Sequence, residues 1–254
     1  MSTAVLQRVS LGRVLRAEIA DELRGIVREP TALFFSILMP VGFFALFVSI
    51  FGDLTDGTMP AGTRMVATFG TFGVLAATML NPGIGIAQDR EIGWLRAKRV
   101  SAVPVLITLL CKVVAALCYA IAMLVAMAVT AGLTGSLEAT AGQLLRLAVV
   151  LLLGAAPFAL LGIAIGLQAG SNATAAILNA VLMPSAVVSG LWMPLEILPD
   201  FFGHIAQFLP TYHLSQLAIA QLDGGPVLGH ALVMLGSTAA LAAAAALSYR
   251  HARP

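Results

Sequence analysis

Charged residues are scarce in this sequence of 254 residues, in which Asp, Glu, Lys and Arg together make up only 10%. A soluble globular domain typically carries about a quarter of its residues as charged ones. Hydrophobic residues instead make up 59%, and the mean hydropathy is +0.97. The composition therefore excludes an ordinary soluble domain and indicates an integral membrane protein.

Lysine is rarer still, because the chain contains only Lys98 and Lys112. A P-loop needs Gly-Lys followed by Ser or Thr, since its lysine reaches the nucleotide phosphates from a glycine-rich turn. Neither lysine follows a glycine, so we expect no ATP-binding motif and no cofactor in this chain. The four histidines lack metal-ligand spacing with Glu or Cys, and no nucleophile–base arrangement stands out. We therefore expect no metal site and no enzyme.

Acidic residues are missing from the long apolar runs, since all twelve carboxylates fall in predicted loops or flanks. Proton-driven carriers usually place Asp, Glu or His inside the membrane. Proton-coupled transport through residues of this chain is thus disfavoured, and the energy for uphill transport would come from a partner protein. Cysteine is limited to Cys111 and Cys118, which lie in one apolar run and are expected to pack as small side chains.

The apolar runs predict an all-α integral membrane fold with six transmembrane helices, because each run can cross ~30 Å of hydrocarbon. Pro40 is expected to kink the first run, and Asn81-Pro82-Gly83 to break or kink the second. Lys112 is expected to reach back to the membrane interface. Gly154 and the glycines that follow it at small-xxx-small spacing predict close helix contact. The predicted spans are about residues 31–52, 65–87, 105–131, 144–168, 173–192 and 227–247.

The first 29 residues do not span, but they predict an amphipathic helix, because apolar residues recur at three- and four-residue steps from Leu11. Its charged residues fall mostly on the remaining surface. Such a helix suits the membrane interface, with its apolar side in lipid. The alternative is a helix packed on a soluble partner or on the rest of this chain.

A different pattern covers residues 193–226, where two apolar pieces are too short to cross and Pro194, Pro199 and Pro210 interrupt the segment. It predicts a short re-entrant or interfacial helical hairpin before the last span. Lys and Arg fix the orientation: eleven lie on the side of the termini and of residues 88–104, against two on the other. The positive-inside rule therefore places both termini and residues 88–104 in the cytoplasm, and residues 193–226 outside.

The charged segment Gln88 to Pro104 lies between two spans and carries six charged residues. If it is helical, Ile92, Leu95 and Trp94 offer an apolar anchor beside the charges, which is typical of a protein–protein contact. The alternative is an ordinary positive-inside loop that touches only water and lipid headgroups. The residues alone leave these two interpretations open.

Two segments resemble the type-2 ATP-binding-cassette (ABC) permease family. The first is QDREIGWLR from Gln88, followed by SAVP from Ser101, which is similar to a family loop reading roughly E-R-E-x-G-T-L-E-x-L. The second is SGLWMP from Ser189, followed by LP at Leu198 and LPTYH at Leu209. Permeases that export drugs and antibiotics, such as those for daunorubicin-type compounds, are the most similar subgroup.

The resemblance implies an exporter subunit that pairs with a second permease copy or a related permease in a bacterial cytoplasmic membrane. Two separate ATPase subunits, which bind ATP and Mg²⁺, would drive it through a coupling loop at residues 88–104. Trp94 and Arg96 stand where the family commonly has Thr and Glu, which affects the details of partner contact. The implied coupling residues are Asp89, Arg90, Glu91, Gly93, Trp94, Leu95 and Arg96.

A hydrophobic drug, antibiotic or lipid-linked molecule is the implied cargo, with membrane lipids as neighbours and no nucleic acid. The alternative function is a passive membrane pore or scaffold without ATP coupling. Polar residues in or near the spans could line a transport path or merely join helices. The candidates for a path are Asn81, Asn179, Ser185 and Ser189.

Overall fold

The computed structural model describes residues 11–27, 34–52, 55–56, 59–94 and 105–252. In these ranges helices dominate, and the only extended pairing is a two-residue antiparallel hairpin between Thr55–Asp56 and Met59–Pro60. The helical elements are a π-helical turn Phe34–Leu38, a 3-10 turn Leu195–Ile197, and α1 Leu11–Val27, α2 Met39–Phe51, α3 Ala61–Glu91, α4 Val105–Leu133, α5 Ala141–Gly154, α6 Ala156–Gly166, α7 Ser171–Val188, α8 Asp200–Ala206, α9 Pro210–Asp223 and α10 Leu228–His251.

Five of the six predicted spans are present as helices that are long and apolar enough to cross a membrane. They are α3, α4, the consecutive helices α5 and α6 taken as one span, α7 and α10. Helix α2 is apolar but shorter, at 13 residues, and the π-helical turn directly precedes it and Pro40. Residues 31–33, where the first span was predicted to begin, lie outside the described part of the chain. The chain is thus a multi-pass membrane protein.

Helix α3 is the centre of the bundle. In its most apolar window 78% of the residues are buried, against 11% in α10, so α10 is peripheral. Helices α2, α4, α6, α7 and α9 all pack on α3. Its many Gly, Ala and Thr residues suit this place because small side chains let neighbouring backbones approach. Thr71 and Thr78 satisfy their hydroxyls on carbonyls of their own helix, each at 2.7 Å.

Glycines on α6 set the contact with α3, as predicted. A Cβ on Gly162 would collide with the carbonyl oxygen of Met79, and one on Gly166 with that of Gly83. The two backbones are therefore in direct contact at both positions. At Gly154 a Cβ would instead meet the side chain of Leu214 on α9.

Several predicted boundaries differ from the structure. Helix α3 covers Ala61–Glu91 instead of 65–87. It runs unbroken through Pro82, so a break there is wrong, while the kink given as its alternative stays a prediction. Directly after Pro82, Gly83 packs closely against Gly162 and Leu178. The span predicted at 144–168 is interrupted at Ala155, just before Pro157.

The predicted interruption of residues 193–226 is confirmed as short helices, none long enough to cross. Helix α7 ends at Val188, earlier than predicted. Helix α9 runs antiparallel to α5, because Leu214 packs at Gly154 while the carbonyl of Leu222 accepts a hydrogen bond from Gln143 at 2.9 Å. It also contacts α3 and α10, so this segment is part of the bundle.

Candidate functional site

Asp89, in the last turn of α3, is the first member of a network of charged side chains. Its Oδ2 atom lies 3.0 Å from Nζ of Lys112 on α4, as a charge contact without a favourable hydrogen-bond angle. Lys112 also donates a hydrogen bond of 2.8 Å to Oε1 of Glu22 on α1. One buried lysine thus connects three helices.

The reach of Lys112 to the membrane interface stays a prediction, but its side chain is only 7% exposed and its ammonium group lies inside the protein. The reason is that both carboxylates lie beside it and replace the water its ammonium group would otherwise need. Gly85 provides the space, because a Cβ there would come within 3.3 Å of Nζ. A larger side chain at that position would press on the ammonium group.

Helix α1 packs on α4 through polar groups, which supports the alternative that it packs on the rest of the chain. Besides the Lys112 contact, Thr108 donates to Oε2 of Glu18 at 3.4 Å, and the hydroxyl of Tyr119 donates to the carbonyl of Leu23 at 3.0 Å. The expectation that the charges of α1 stay on its outer surface is therefore wrong for Glu18 and Glu22. Arg13, Arg16, Asp21 and Arg24 do lie on the exposed side.

The network holds more negative than positive charge, because Lys112 is shared between two carboxylates. Burial raises the pKa of Glu22 above its usual 4.5, while the positive charge of Lys112 opposes that rise. The negative charges of Asp89 and Asp21 add to it.

Arg90 and Glu91 connect α3 to the turn between α6 and α7. Nη1 of Arg90 donates to the carbonyl of Leu167, just past the end of α6. The Glu91 carboxylate accepts from the backbone N–H of Ser171 at 2.8 Å and from its hydroxyl at 2.7 Å. Ser171 is the first residue of α7, so a negative charge caps the positive end of that helix. Gly170 leaves room, since a Cβ there would lie 2.7 Å from the carboxylate.

We call this set the junction: Glu22, Asp89, Arg90, Glu91 and Lys112. Three consecutive residues at the end of α3 contact α4, the end of α6 and the start of α7, and the shared lysine adds α1. A displacement of the last turn of α3 must therefore act on four other helices. No metal-binding group of three or more His, Cys, Asp or Glu occurs among the residues that the structure describes.

Two apolar side chains project directly beyond the junction. Gly93 adopts a positive φ of 76°, which ends the α3 helix and turns the chain. Ile92 is 78% exposed and Trp94 is 46% exposed on either side of it. The predicted coupling residues Leu95 and Arg96 lie outside the described residues, as does the rest of the loop to Pro104.

The sequence matches the model of one protein family, described as ABC-2 type transporter, over residues 13–222. The chain belongs to this family. It is also 24% identical over 212 residues to a protein of Bacillus subtilis (strain 168) named "Putative transport permease YvfS". The aligned region covers 84% of this chain and 86% of that protein. With its membrane-spanning helices, this ABC-2 type protein is a membrane transport permease, as the resemblance of its two motifs indicated.

The four predicted path residues of the ABC-2 permease are not brought together by a shared contact in the described residues. Asn179 and Ser185 donate to carbonyls of their own helix, each at 2.9 Å. Ser189 is buried and shares a hydrogen bond with Thr211 at the start of α9. The side-chain nitrogen of Asn81 is buried without a hydrogen-bond partner among the described residues. Their assignment to a path stays a prediction.

Sequence reasoning missed three members of the polar network: Glu22, Lys112 and Ser171. A signal existed for Lys112, which is a charge within an apolar run and so needs a partner. No such signal marked Ser171, because its role depends on a carboxylate 80 positions away in the sequence. Glu22 lies 90 positions from Lys112 and has the composition of an ordinary helix surface.

Proposed function

We propose that this chain is the permease subunit of an ATP-driven exporter in a bacterial cytoplasmic membrane. Its cargo is a hydrophobic drug, antibiotic or lipid-linked molecule. Two separate ABC ATPase subunits bind ATP and Mg²⁺, and the permease pairs with a second copy or a related permease. The observation that carries the proposal is the exposed pair Ile92 and Trp94 directly after the junction.

This pair supports an ATPase contact because exposed aromatic and aliphatic side chains next to charges are the usual anchors of protein interfaces. Trp94 also follows a rigid point, since Asp89, Arg90 and Glu91 are each held by a different partner helix. A displacement of Trp94 by the bound ATPase would therefore move the end of α3. From there it would reach α1, α4, α6 and α7.

The proposal includes six spans, with the stretch 31–52 as the first. The stretch Phe34–Phe51 is continuously helical and apolar, which supports this assignment. An even number of spans places both termini on one side, where the Lys and Arg residues are concentrated. The positive-inside rule then assigns that side, and the junction with it, to the cytoplasm.

In this orientation residues 193–226 form the re-entrant segment on the outer side. Its support is the depth of α9: Leu214 packs against Gly154, which lies roughly 20 Å along the span that starts at Ala141. Helix α9 then returns toward the start of that span, where Leu222 accepts the hydrogen bond of Gln143. The segment thus enters and leaves on the same side.

For the cargo path, Asn81 is the strongest of the predicted residues. Its buried amide nitrogen has no hydrogen-bond partner among the described residues, so a polar cargo group would relieve that cost. Asn179, Ser185 and Ser189 are retained as secondary positions of the path. Asn179 and Ser185 now bond carbonyls of their own helix, whereas Ser189 joins the end of α7 to α9.

The decisive experiment uses the permease co-purified with its ATPase and reconstituted in vesicles. Replacing Trp94 by Ala removes a central anchor, which at an interface costs 2 kcal/mol or more, or about thirtyfold in affinity. We expect both ATPase binding and ATP-dependent transport to fall. Phe208→Ala is the matched control, because Phe208 is 84% exposed but lies between α8 and α9, far from the junction in the chain.

Glu91→Ala separates force transmission from docking. We expect the ATPase to remain bound while its hydrolysis is no longer converted into transport, because the contact with Ser171 is lost. Unchanged transport in both the Trp94 and the Glu91 variants would refute the assigned role of this segment. Transport that is indifferent to ATP and to the partner would instead identify a passive pore or scaffold.

A further inference from the structure

A polar cavity of about 450 Å³ opens at the end of the bundle opposite the junction. Helix α4 begins near the junction and ends at Leu133, so α5, which follows it, begins at the far end. The cavity is lined by Gln143 and Arg146 of α5, by residues 220–223 at the end of α9, and by the turn that leads to α10. None of these residues belongs to the junction or to the predicted path.

The cavity carries one charge of each sign. Among the described residues no ion pair joins Arg146 to Asp223, although both line it. One carboxylate oxygen of Asp223, Oδ1, accepts the backbone N–H of Gly225 at 2.8 Å. Arg146 and Asp223 are both exposed residues of the lining. Two opposite charges that share a cavity without pairing can each take a ligand group of the other sign.

The arrangement of helix ends reinforces this separation of charge. Arg146 lies in the second turn of α5, close to the positive end of that helix. Asp223 is the last residue of α9, at its negative end, where Gly224 with a φ of 79° closes the helix. One side of the cavity therefore favours an anion and the other a cation.

Aliphatic side chains continue from the cavity along the bundle surface. On α5 the exposed residues Leu145, Val149 and Leu153 follow one another at four-residue steps. On α10 Leu228 and Leu232 are exposed in the same way. Helix α10 packs on α6 and α9 and does not cover the outer side of α5. The exposed side chains of α5 therefore form a surface that faces lipid. In a membrane protein such a surface contacts acyl chains.

We propose that this cavity binds the headgroup of a zwitterionic aminophospholipid of the phosphatidylethanolamine class. The phosphate contacts Arg146, the primary ammonium group contacts Asp223, and the acyl chains lie on Leu145, Val149 and Leu228. A purely anionic headgroup brings no cation for Asp223. A choline headgroup brings a cation without an N–H to donate. The site needs neither ATP nor the ATPase, and only its assignment to the outer leaflet rests on the proposed orientation.

The test is native mass spectrometry of the purified full-length chain titrated with phosphatidylethanolamine, phosphatidylglycerol and phosphatidylcholine. We expect phosphatidylethanolamine to bind most tightly. Arg146→Gln should weaken that binding by about tenfold or more, since a charged hydrogen bond is lost. Asp223→Asn should remove the preference over phosphatidylglycerol. Arg64→Gln is the control, because Arg64 lies at the same end but pairs with Glu196 at 3.7 Å.

Two further arms keep the outcome decisive. Arg146→Lys retains the charge and should retain binding, whereas a loss equal to that of Arg146→Gln in proteins that elute like wild type would overturn the proposal. Soluble phosphoethanolamine should not displace the lipid at equal concentration, because it lacks acyl chains. Displacement at equal concentration, or equal lipid binding by wild type and both charge variants, would also overturn it. The ATPase is absent, so failure here leaves the coupling proposal untouched.

Discussion

Replacing Lys112 by Met should destabilise the protein, because it leaves the partly buried carboxylates of Glu22 and Asp89 without their shared cation. The side chain of Lys112 is only 7% exposed, and Met has a similar length, so the change removes charge more than volume. Removing one partner of a buried ion pair typically costs about 3–5 kcal/mol. Lys112 serves two carboxylates, which places the expected loss at the upper end of that range.

The assay is unfolding in mixed micelles with increasing denaturing detergent, followed by circular dichroism. Trypsin adds a local measurement, because Arg16 and Arg24 lie on the exposed side of α1 and become better substrates when α1 leaves α4. Arg64→Met is the control: its partner Glu196 is 65% exposed, and such surface pairs contribute about 0–1 kcal/mol. The Lys112 variant should also be cleaved faster in α1.

A rescue variant tests the physical reason. In Lys112→Met combined with Glu22→Gln and Asp89→Asn no charge is left to bury, and replacing a buried ionic group with neutral side chains is often close to neutral in stability. Most of the lost stability should therefore return. Two results would refute this explanation. One is that Lys112→Met unfolds at the same detergent concentration as the wild-type protein. The other is that the triple variant is no more stable than Lys112→Met alone.

Three further changes follow from the structure. Gly166→Ala should lower the free energy of unfolding by about 1–3 kcal/mol or prevent folding, because its Cβ meets backbone of α3 that cannot move aside. Gly236→Ala, which has open space around it, should be neutral or stabilising in the same unfolding assay. Ser171→Ala should destabilise the protein less than Glu91→Ala, because it removes only one of the two hydrogen bonds to Glu91, and an equal loss of stability in the two variants would contradict the two-bond geometry. Glu22 has a raised pKa in the folded state, so its contribution to stability should be greatest below its unfolded pKa near 4.5 and should fall as pH rises through the folded pKa. Glu22→Gln should make stability depend less on pH. Unfolding experiments at a series of pH values would measure this difference.

The spans could be predicted because hydropathy is a local property of each run. Their ends were less certain, since Asp89 to Glu91 continue a helix that the change in composition marked as a loop. At Pro82 a local rule predicted a break or a kink, and the helix continues without a break because its neighbours in the bundle, Gly162 among them, pack closely on it. Local signals therefore identify elements better than they identify boundaries.

The junction could be predicted only in part. Asp89, Arg90 and Glu91 stood out as charges, and the resemblance implied contact with another chain, yet each also has a partner within this chain. Which helix end lies beside a given charge depends on how distant segments pack, and no spacing in the sequence encodes it. The contact of Glu22 with Lys112 spans 90 positions for this reason.

The buried lysine also bears on how the chain is made. Proteins are synthesised from the amino terminus, and Glu22 and Asp89 both precede Lys112. A charged residue placed in a membrane span costs about 2.5–3.5 kcal/mol at the helix centre and less near an end, where Lys112 lies. Both counter-charges are therefore already synthesised when α4 leaves the ribosome. Lys112 can therefore pair with carboxylates of α1 and α3 as soon as α4 enters the membrane, which lowers the cost of placing its charge there.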